Sequence, residues 1–271
     1  MNRIFKLLVL CCLCGIFGSC DVAVKRMEAK VTESKQQLAP KTREGLELPA
    51  PLTSRPEQIL VRKGYTASYN KEWRVPNWVA WHLTAAHLKG DVKRSGLVFN
   101  EDEEVPTPRA VNTDYVRSGY DRGHMCPAGD NKWNAQAMDD SFLFTNICPQ
   151  APQLNRGDWN EMEQACRKWA KQCGDIYIVC GPIFYKKRAK TIGKSKVAVP
   201  DAFFKVVLTM KGKPKAIGFI YKNGDGNRPK GDYANSVDEV ERITGIDFFT
   251  SLPDKVEKQV EAQCNPDDWN I

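Results

Sequence analysis

The chain has 271 residues, with 40 lysines and arginines against 33 aspartates and glutamates and a formal charge of +7. That length accommodates one large domain or two small ones, and no internal repeat is visible. Its one long apolar run, Leu7 to Phe17, is too short to span a bilayer as a permanent helix.

Arg3 and Lys6 ahead of that run give a targeting segment that should be removed, leaving 38 basic and 33 acidic residues, a modest +5. Such a charge fits a polyanionic partner without requiring one. The segment closes on Phe17-Gly18-Ser19-Cys20, which resembles the lipobox of bacterial lipoproteins, with Phe17 where Leu is usual. The expected organisation is a signal peptide over 1–19, a lipidated Cys20 opening a polar tether over 20–58 with a short helix near Val24 to Gln37, and a globular domain over 59–271. The expected location is the cell envelope, on the outer membrane or its periplasmic or extracellular face.

Export sets how the cysteines are read. Cys126, Cys148, Cys166, Cys173, Cys180 and Cys264 remain after the leader and Cys20 are set aside, an even set that suggests disulfides in an oxidising compartment. Cys166 and Cys173 on one helix would be about 10 Å apart, beyond disulfide reach. Cys126 with Cys148 is the first expected pair, because both lie beside the segments that carry the chemistry.

From Ile59 onward, period and composition predict strands at Gly64 to Tyr69, Trp78 to Thr84, Ser141 to Ile147, Asp175 to Val179, Phe203 to Met210 and Lys215 to Tyr221, the last two forming a hairpin. Helices are predicted from Asn155 or Asp158 to Lys171, with an Asp158-x-x-Glu161 capping box, from Ser236 to Thr244, and from Leu252 to Ala262. Strands outnumber helices and short turns join them. An α+β domain with a mixed, largely antiparallel sheet and flanking helices follows.

The chemistry gathers between Tyr120 and Cys166. His124 has neighbours that suit a general base, whereas His82 in an apolar strand and His87 in a polar turn read as structural. Arg122, two residues before His124, would share its face of a strand and offer a guanidinium to a phosphate, while Asp121 would point the other way and anchor the hairpin. Asn155 and Glu163 supply hard oxygen atoms of the kind magnesium accepts, and Asn155, Trp159 and Glu163 are spaced four apart as on one side of a helix. Singly, Asn155 would be a cap, Glu163 a solvated charge and Trp159 core; it is their joint occurrence that points to attack on a phosphodiester. A basic loop, Lys186 to Lys196, could track a nucleic-acid backbone, be drawn to anionic lipid near the anchor, or simply be solvated.

DRGHMCPAGDNKW followed by AMDDSFLFTNICPQAPQLNRGDWNEME resembles the DNA/RNA non-specific endonucleases, the ββα-metal nucleases that include endonuclease G, and the likeness extends from about Gly64 to Pro253. The resemblance implies a ββα-metal (His-Me finger) core, His124 as general base, Asn155 and Glu163 at one magnesium with manganese as substitute, and Arg122 and Arg94 on substrate phosphate. Asp121 and Asn146 would support the site. It further implies cleavage of DNA and RNA to 5′-phosphate products, and many relatives form homodimers. The opposing reading, an idle nucleic-acid-binding lipoprotein serving uptake or adhesion, sits poorly with Arg122, His124, Asn155 and Glu163 being present together.

Overall fold

A computed structural model of the protein describes residues 45–186, 188–224 and 226–271. The leader, Cys20, most of the tether and Lys187 of the basic loop lie outside the described residues. No helix among those described is long and apolar enough to cross a membrane.

Seven strands form one sheet in the order β1-β2-β3-β6-β9-β10-β11. They are β1 (Gln58–Val61), β2 (Thr66–Asn70), β3 (Val75–Thr84), β6 (Asp175–Ile183), β9 (Ala202–Thr209), β10 (Lys215–Lys222) and β11 (Ala234–Asn235), with β4, β5, β7 and β8 lying outside the sheet. Every ladder between them is antiparallel. β9 and β10 form the expected hairpin, with Lys215 opposite Thr209.

The central strands are buried on both faces, so their sequences read as continuous apolar runs rather than alternating ones. Alternate residues feed two cores. Val79, Trp81, Leu83, Ile176, Ile178, Phe203 and Val207 face one; Trp78, Ala80, Tyr177, Val179, Phe204, Val206 and Leu208 face the other.

Among the described residues there are six helices: α1 (Asn112–Tyr115), α2 (Ala135–Asp140), α3 (Pro152–Arg156), α4 (Asp158–Cys173), α5 (Val237–Thr244) and α6 (Asp254–Glu261). α4 covers the first core with Trp159, Met162, Cys166 and Trp169, the predicted apolar stripe. α5 and α6 cover the second with Val237, Val240, Val256 and Val260. α5 begins on Ser236, whose side chain accepts from the Glu239 N–H, and stops at Gly245 in the left-handed region.

Several local expectations change. The packed chain begins ahead of the tether boundary set at residue 58: Leu46 is fully buried in the second core and the Ala50 N–H donates to the Asp247 carbonyl at 2.9 Å. Ser141 to Ile147 is not a strand; Ser141 caps α2, Phe144–Asn146 is a 3₁₀ turn, and the strand is β5 (Ile147–Gln150). The Asp158-x-x-Glu161 capping box is not made, because Gly157 caps α4 and the Asp158 carboxylate instead accepts from the Asn227 N–H at 2.7 Å and from the Tyr233 hydroxyl.

All six described cysteines are unpaired thiols, so the Cys126–Cys148 disulfide is not formed. The reason lies in register. Cys148 sits opposite Gly123, three residues short of Cys126, and the Cys126 sulfur instead accepts from Asn131 Nδ2 at 3.3 Å. Burial pushes the Cys166 and Cys180 thiols up to about 12, which makes them inert.

Outside the main sheet, β4 (Asp121–His124) pairs with β5 as a two-stranded antiparallel ribbon, and β7 (Thr191–Ile192) pairs with β8 (Val197–Ala198) in the basic loop. Gly123 in β4 has no room for a side chain: a Cβ there would lie 2.2 Å from Gln150 Oε1 and 2.6 Å from Gln150 Cβ. Gly123→Ala should therefore displace Gln150 and distort the ribbon at a cost of about 2 kcal/mol, with the main sheet kept. Urea unfolding together with an activity assay checks this; a variant of unchanged stability and activity would refute the close packing.

Candidate active site

A cleft of about 940 Å³ opens where the ribbon, α3, α4 and the loop 90–99 meet, and its lining includes Arg94, Phe99, Asp121, Arg122, His124, Asn155, Arg156, Glu163 and Arg167. Every residue that the sequence puts at the site thus lies on it, apart from Asn146, which works from below. Asn146 is fully buried; its Oδ1 accepts from the Cys126 N–H at 2.8 Å while its Nδ2 donates to the Cys126 and Ser141 carbonyls, both at 2.9 Å. It fixes the turn by which the chain leaves His124.

His124 ends β4. Its carbonyl accepts from Trp159 Nε1 at 3.1 Å, joining the ribbon to α4, and Trp159 is core, as expected. The imidazole packs against Phe99 and Phe142, with ring centroids 5.4 and 5.2 Å away. Its Nε2 is buried and has no hydrogen-bond partner. Desolvation and then the charge of Arg94 push His124 down to about 3, so the ring is neutral at pH 7. That departs from an unperturbed imidazole near 6.5. Because the unfolded chain holds the proton more tightly, the domain loses stability through this group as pH falls from about 6.5 towards 3 and is unaffected by it above.

Asp121 also lines the cleft rather than turning away. Its two oxygens take Arg156 Nε and Nη2, each at 2.8 Å, and Oδ2 also accepts from Asn155 Nδ2 at 3.0 Å. Burial raises the Asp121 pKa, but the bonds from Arg156 and Asn155 and the charges of Arg156 and Arg122 outweigh it, leaving a carboxylate held below its usual range. An ionised carboxylate only accepts, so the amide nitrogen of Asn155 must face Asp121 and its oxygen is left for another partner.

Asn155 and Glu163 reach the cleft from two helices rather than one. The chain breaks between them at Gly157, with φ −101° and ψ −113°, where a Cβ would come within 2.6 Å of the Gln153 carbonyl. Burial lifts Glu163 to about 7 against the opposing pull of Lys205. An amide oxygen turned away from Asp121 and a carboxyl group lining the same cleft are a donor set that a hard divalent cation fits, with water and phosphate completing its shell.

Three further arginines that line the cleft are held in different ways. The Arg122 guanidinium donates through Nε to Asn112 Oδ1 at 2.9 Å and through Nη2 to the Asn112 carbonyl at 3.1 Å, and lies over the rings of Phe99 and Tyr115. Arg94 lies 5.5 Å over Phe142. Arg167 was not picked out in the sequence, although it continues the four-residue spacing of Trp159 and Glu163. Its Nη1 donates to Asp130 Oδ1 at 3.0 Å and lies 3.9 Å from Glu163. Asp130 is itself buried and accepts from Trp81 Nε1 at 3.1 Å.

Beneath the site, Lys205 is fully buried among the rings of Trp159 and Trp81, its Nζ 4.4 and 5.3 Å from their centroids. Burial pulls its pKa down, yet the neighbouring Cys180, Cys166, Glu163 and Asp130 raise it above the usual value, so the charge persists. Nothing in a strand reading of Phe203 to Met210 signals this. Phe99 and Phe142 were missed as well, since aromatic residues in loops carry no periodicity. The described basic residues of Lys186 to Lys196 do not line the cleft; Lys190 instead reaches the Tyr120 hydroxyl at 3.3 Å.

The profile of the DNA/RNA non-specific endonuclease family matches residues 47–255, and the chain belongs to that family. It is 36% identical over 227 residues to mitochondrial nuclease EXOG of Danio rerio, covering 76% of this chain and 64% of that protein. It is 38% identical over 210 residues to Nuclease C1 of Cunninghamella echinulata var. echinulata, covering 72% and 83%. A crystal structure of the EndoG/EndoGI complex, concerning EndoG inhibition, superposes with a TM-score of 0.72 at 31% identity over 80% of this chain and 95% of that one.

Asp121 is the residue that decides which end of the Asn155 amide faces the cleft. Asp121→Ala should weaken divalent metal affinity roughly 10- to 100-fold with the far-ultraviolet spectrum unchanged. Isothermal titration with manganese measures it, and an unaltered dissociation constant would remove Asp121 from the metal site.

Proposed function

We propose that the chain is a metal-dependent endonuclease that hydrolyses phosphodiester bonds of DNA and RNA to 5′-phosphate products. The observation that carries this reading is the convergence of His124, Asn155, Glu163, Arg94, Arg122 and Arg167 on one cleft. Asn155 and Glu163 would hold the cation. Magnesium, with manganese as a substitute, supplies polarisation of a phosphoryl oxygen and neutralisation of charge on the leaving oxygen when bound.

The protein's own groups account for the rest. Arg94, Arg122 and Arg167 draw a phosphate into the cleft and offset the extra negative charge of the pentacoordinate transition state. His124, neutral at pH 7, takes a proton from the attacking water as its oxygen bonds to phosphorus and the bond to the 3′ oxygen breaks. Phe99 and Phe142 fix the ring and exclude bulk water from one side of it.

Incubating the chain with plasmid DNA and with RNA, in magnesium or in chelator, tests the proposal. Cleavage should require metal, and His124→Ala should lose at least about 100-fold in rate. The acid limb of the rate at saturating magnesium should fall well below pH 6.5, since His124 is depressed to about 3. Retention of nucleic acid with no metal-dependent cleavage would instead support a binding protein.

We also propose that the protein is exported and lipid-anchored to the cell envelope at Cys20, which is what the basic start, the apolar run and the Phe-Gly-Ser-Cys ending support. Expressed in a bacterium with labelled palmitate, the chain should take up label and Cys20→Ser should not. Equal labelling of both would exclude Cys20 as the anchor.

A further inference from the structure

On the face of the sheet opposite the cleft, α5 and the end of α6 bring three carboxylates together. One oxygen from each of Asp238, Glu241 and Glu261 lies within 4.8 Å of the others. Asp238 and Glu241 are one turn apart on α5, and Glu261 is the last residue of α6.

Acidic side chains often gather on a surface without consequence, but Glu261 is not on the surface. It is only 5% exposed, and its Oε1 has no hydrogen-bond partner. No salt bridge among the described residues involves any of the three, and the arginine on α5, Arg242, is committed to Glu239 through bonds of 2.7 and 2.6 Å. Within the cluster, Glu241 uses Oε1 to accept from the Phe248 N–H at 2.7 Å. A buried carboxylate with an oxygen that lacks a donor, set beside two further carboxylates, is unfavourable unless a positive charge or a proton joins it.

We propose that Asp238, Glu241 and Glu261 form a second cation site, for calcium before magnesium, that ties α5 to the end of α6. Calcium binds carboxylate oxygens at about 2.3–2.6 Å, so ligands on opposite sides of one ion are up to about 5.2 Å apart, which accommodates the observed separation. It accepts six to eight oxygens in flexible geometry, and exposed Asp238 leaves room for water to complete the shell. Magnesium is the weaker fit because it retains its own waters and demands a near-ideal octahedron. The site is structural: it lies across the sheet from the catalytic cleft and does not depend on the proposed nuclease chemistry.

The full chain, stripped with chelator and dialysed, is titrated with calcium chloride by calorimetry and followed by thermal unfolding. Glu163→Gln, which impairs the cleft's own donor set, should still bind one calcium, and its Tm should rise by roughly 5–10 °C at a hundredfold excess over Kd. Asp238→Asn and Glu261→Gln should each lose that rise while keeping magnesium-dependent plasmid cleavage. Absence of calcium binding in Glu163→Gln would overturn the site. So would a Glu261→Gln variant that is more stable than the parent without metal yet keeps the parent's rise with calcium, because Glu261 would then be a buried protonated acid and no ligand. An equal rise with magnesium would overturn the preference for calcium.

Discussion

The indole of Trp159 holds this molecule's working parts in one frame. Its ring is buried between Phe203 and Tyr221 of the sheet, its face lies against the Lys205 ammonium, and its N–H reaches the carbonyl of His124. One side chain on α4 therefore fixes the distance from the sheet to the helix that carries Glu163 and from that helix to the ribbon that carries His124. Buried tryptophan normally needs a partner for its nitrogen. Here the partner is the backbone of the proposed base, so satisfying a core residue and positioning His124 are the same event.

Three guanidinium groups around that frame are each held by a hydrogen-bonding partner. Arg167 is tied to Asp130, Arg156 to Asp121, and Arg122 to Asn112. Each guanidinium is oriented by a partner that leaves some of its donors free, which is cheaper at the moment of binding than ordering a loose side chain. Lys205 lacks a conventional partner and is held by two indole faces and the field of nearby acids, so the interior behind Glu163 is positively biased rather than neutral.

Much of the site was legible because its chemistry lies in one contiguous segment. The Asp-Arg-Gly-His run declares a strand with a base and a cation on it, and Asn155 and Glu163 follow within reach. What escaped depended on long-range packing. The break at Gly157 is dictated by a carbonyl four residues back, and Asp158 prefers a tyrosine 75 positions away to the helix end beside it. Phe99 and Phe142 acquire meaning only once the loop and ribbon meet around His124. The cysteines misled for another reason: an even number of them speaks, if at all, to compartment, whereas register decides which sulfurs can meet. In the sheet, burial of both faces made strands easy to recognise and their continuation by a few residues hard to bound.

The ribbon of β4 and β5 stands apart from the seven-stranded sheet. Two strands alone are barely stable in water, so this pair survives on what it borrows: the Trp159 bond, the clasp of Asn146, and Asn223, which holds the Pro149 carbonyl and the Ala151 N–H. A part so dependent on its neighbours can open while the sheet remains closed. Local opening of the cleft and global unfolding are then expected as separate transitions in this fold, the first set by the attachment of the ribbon and the second by the core.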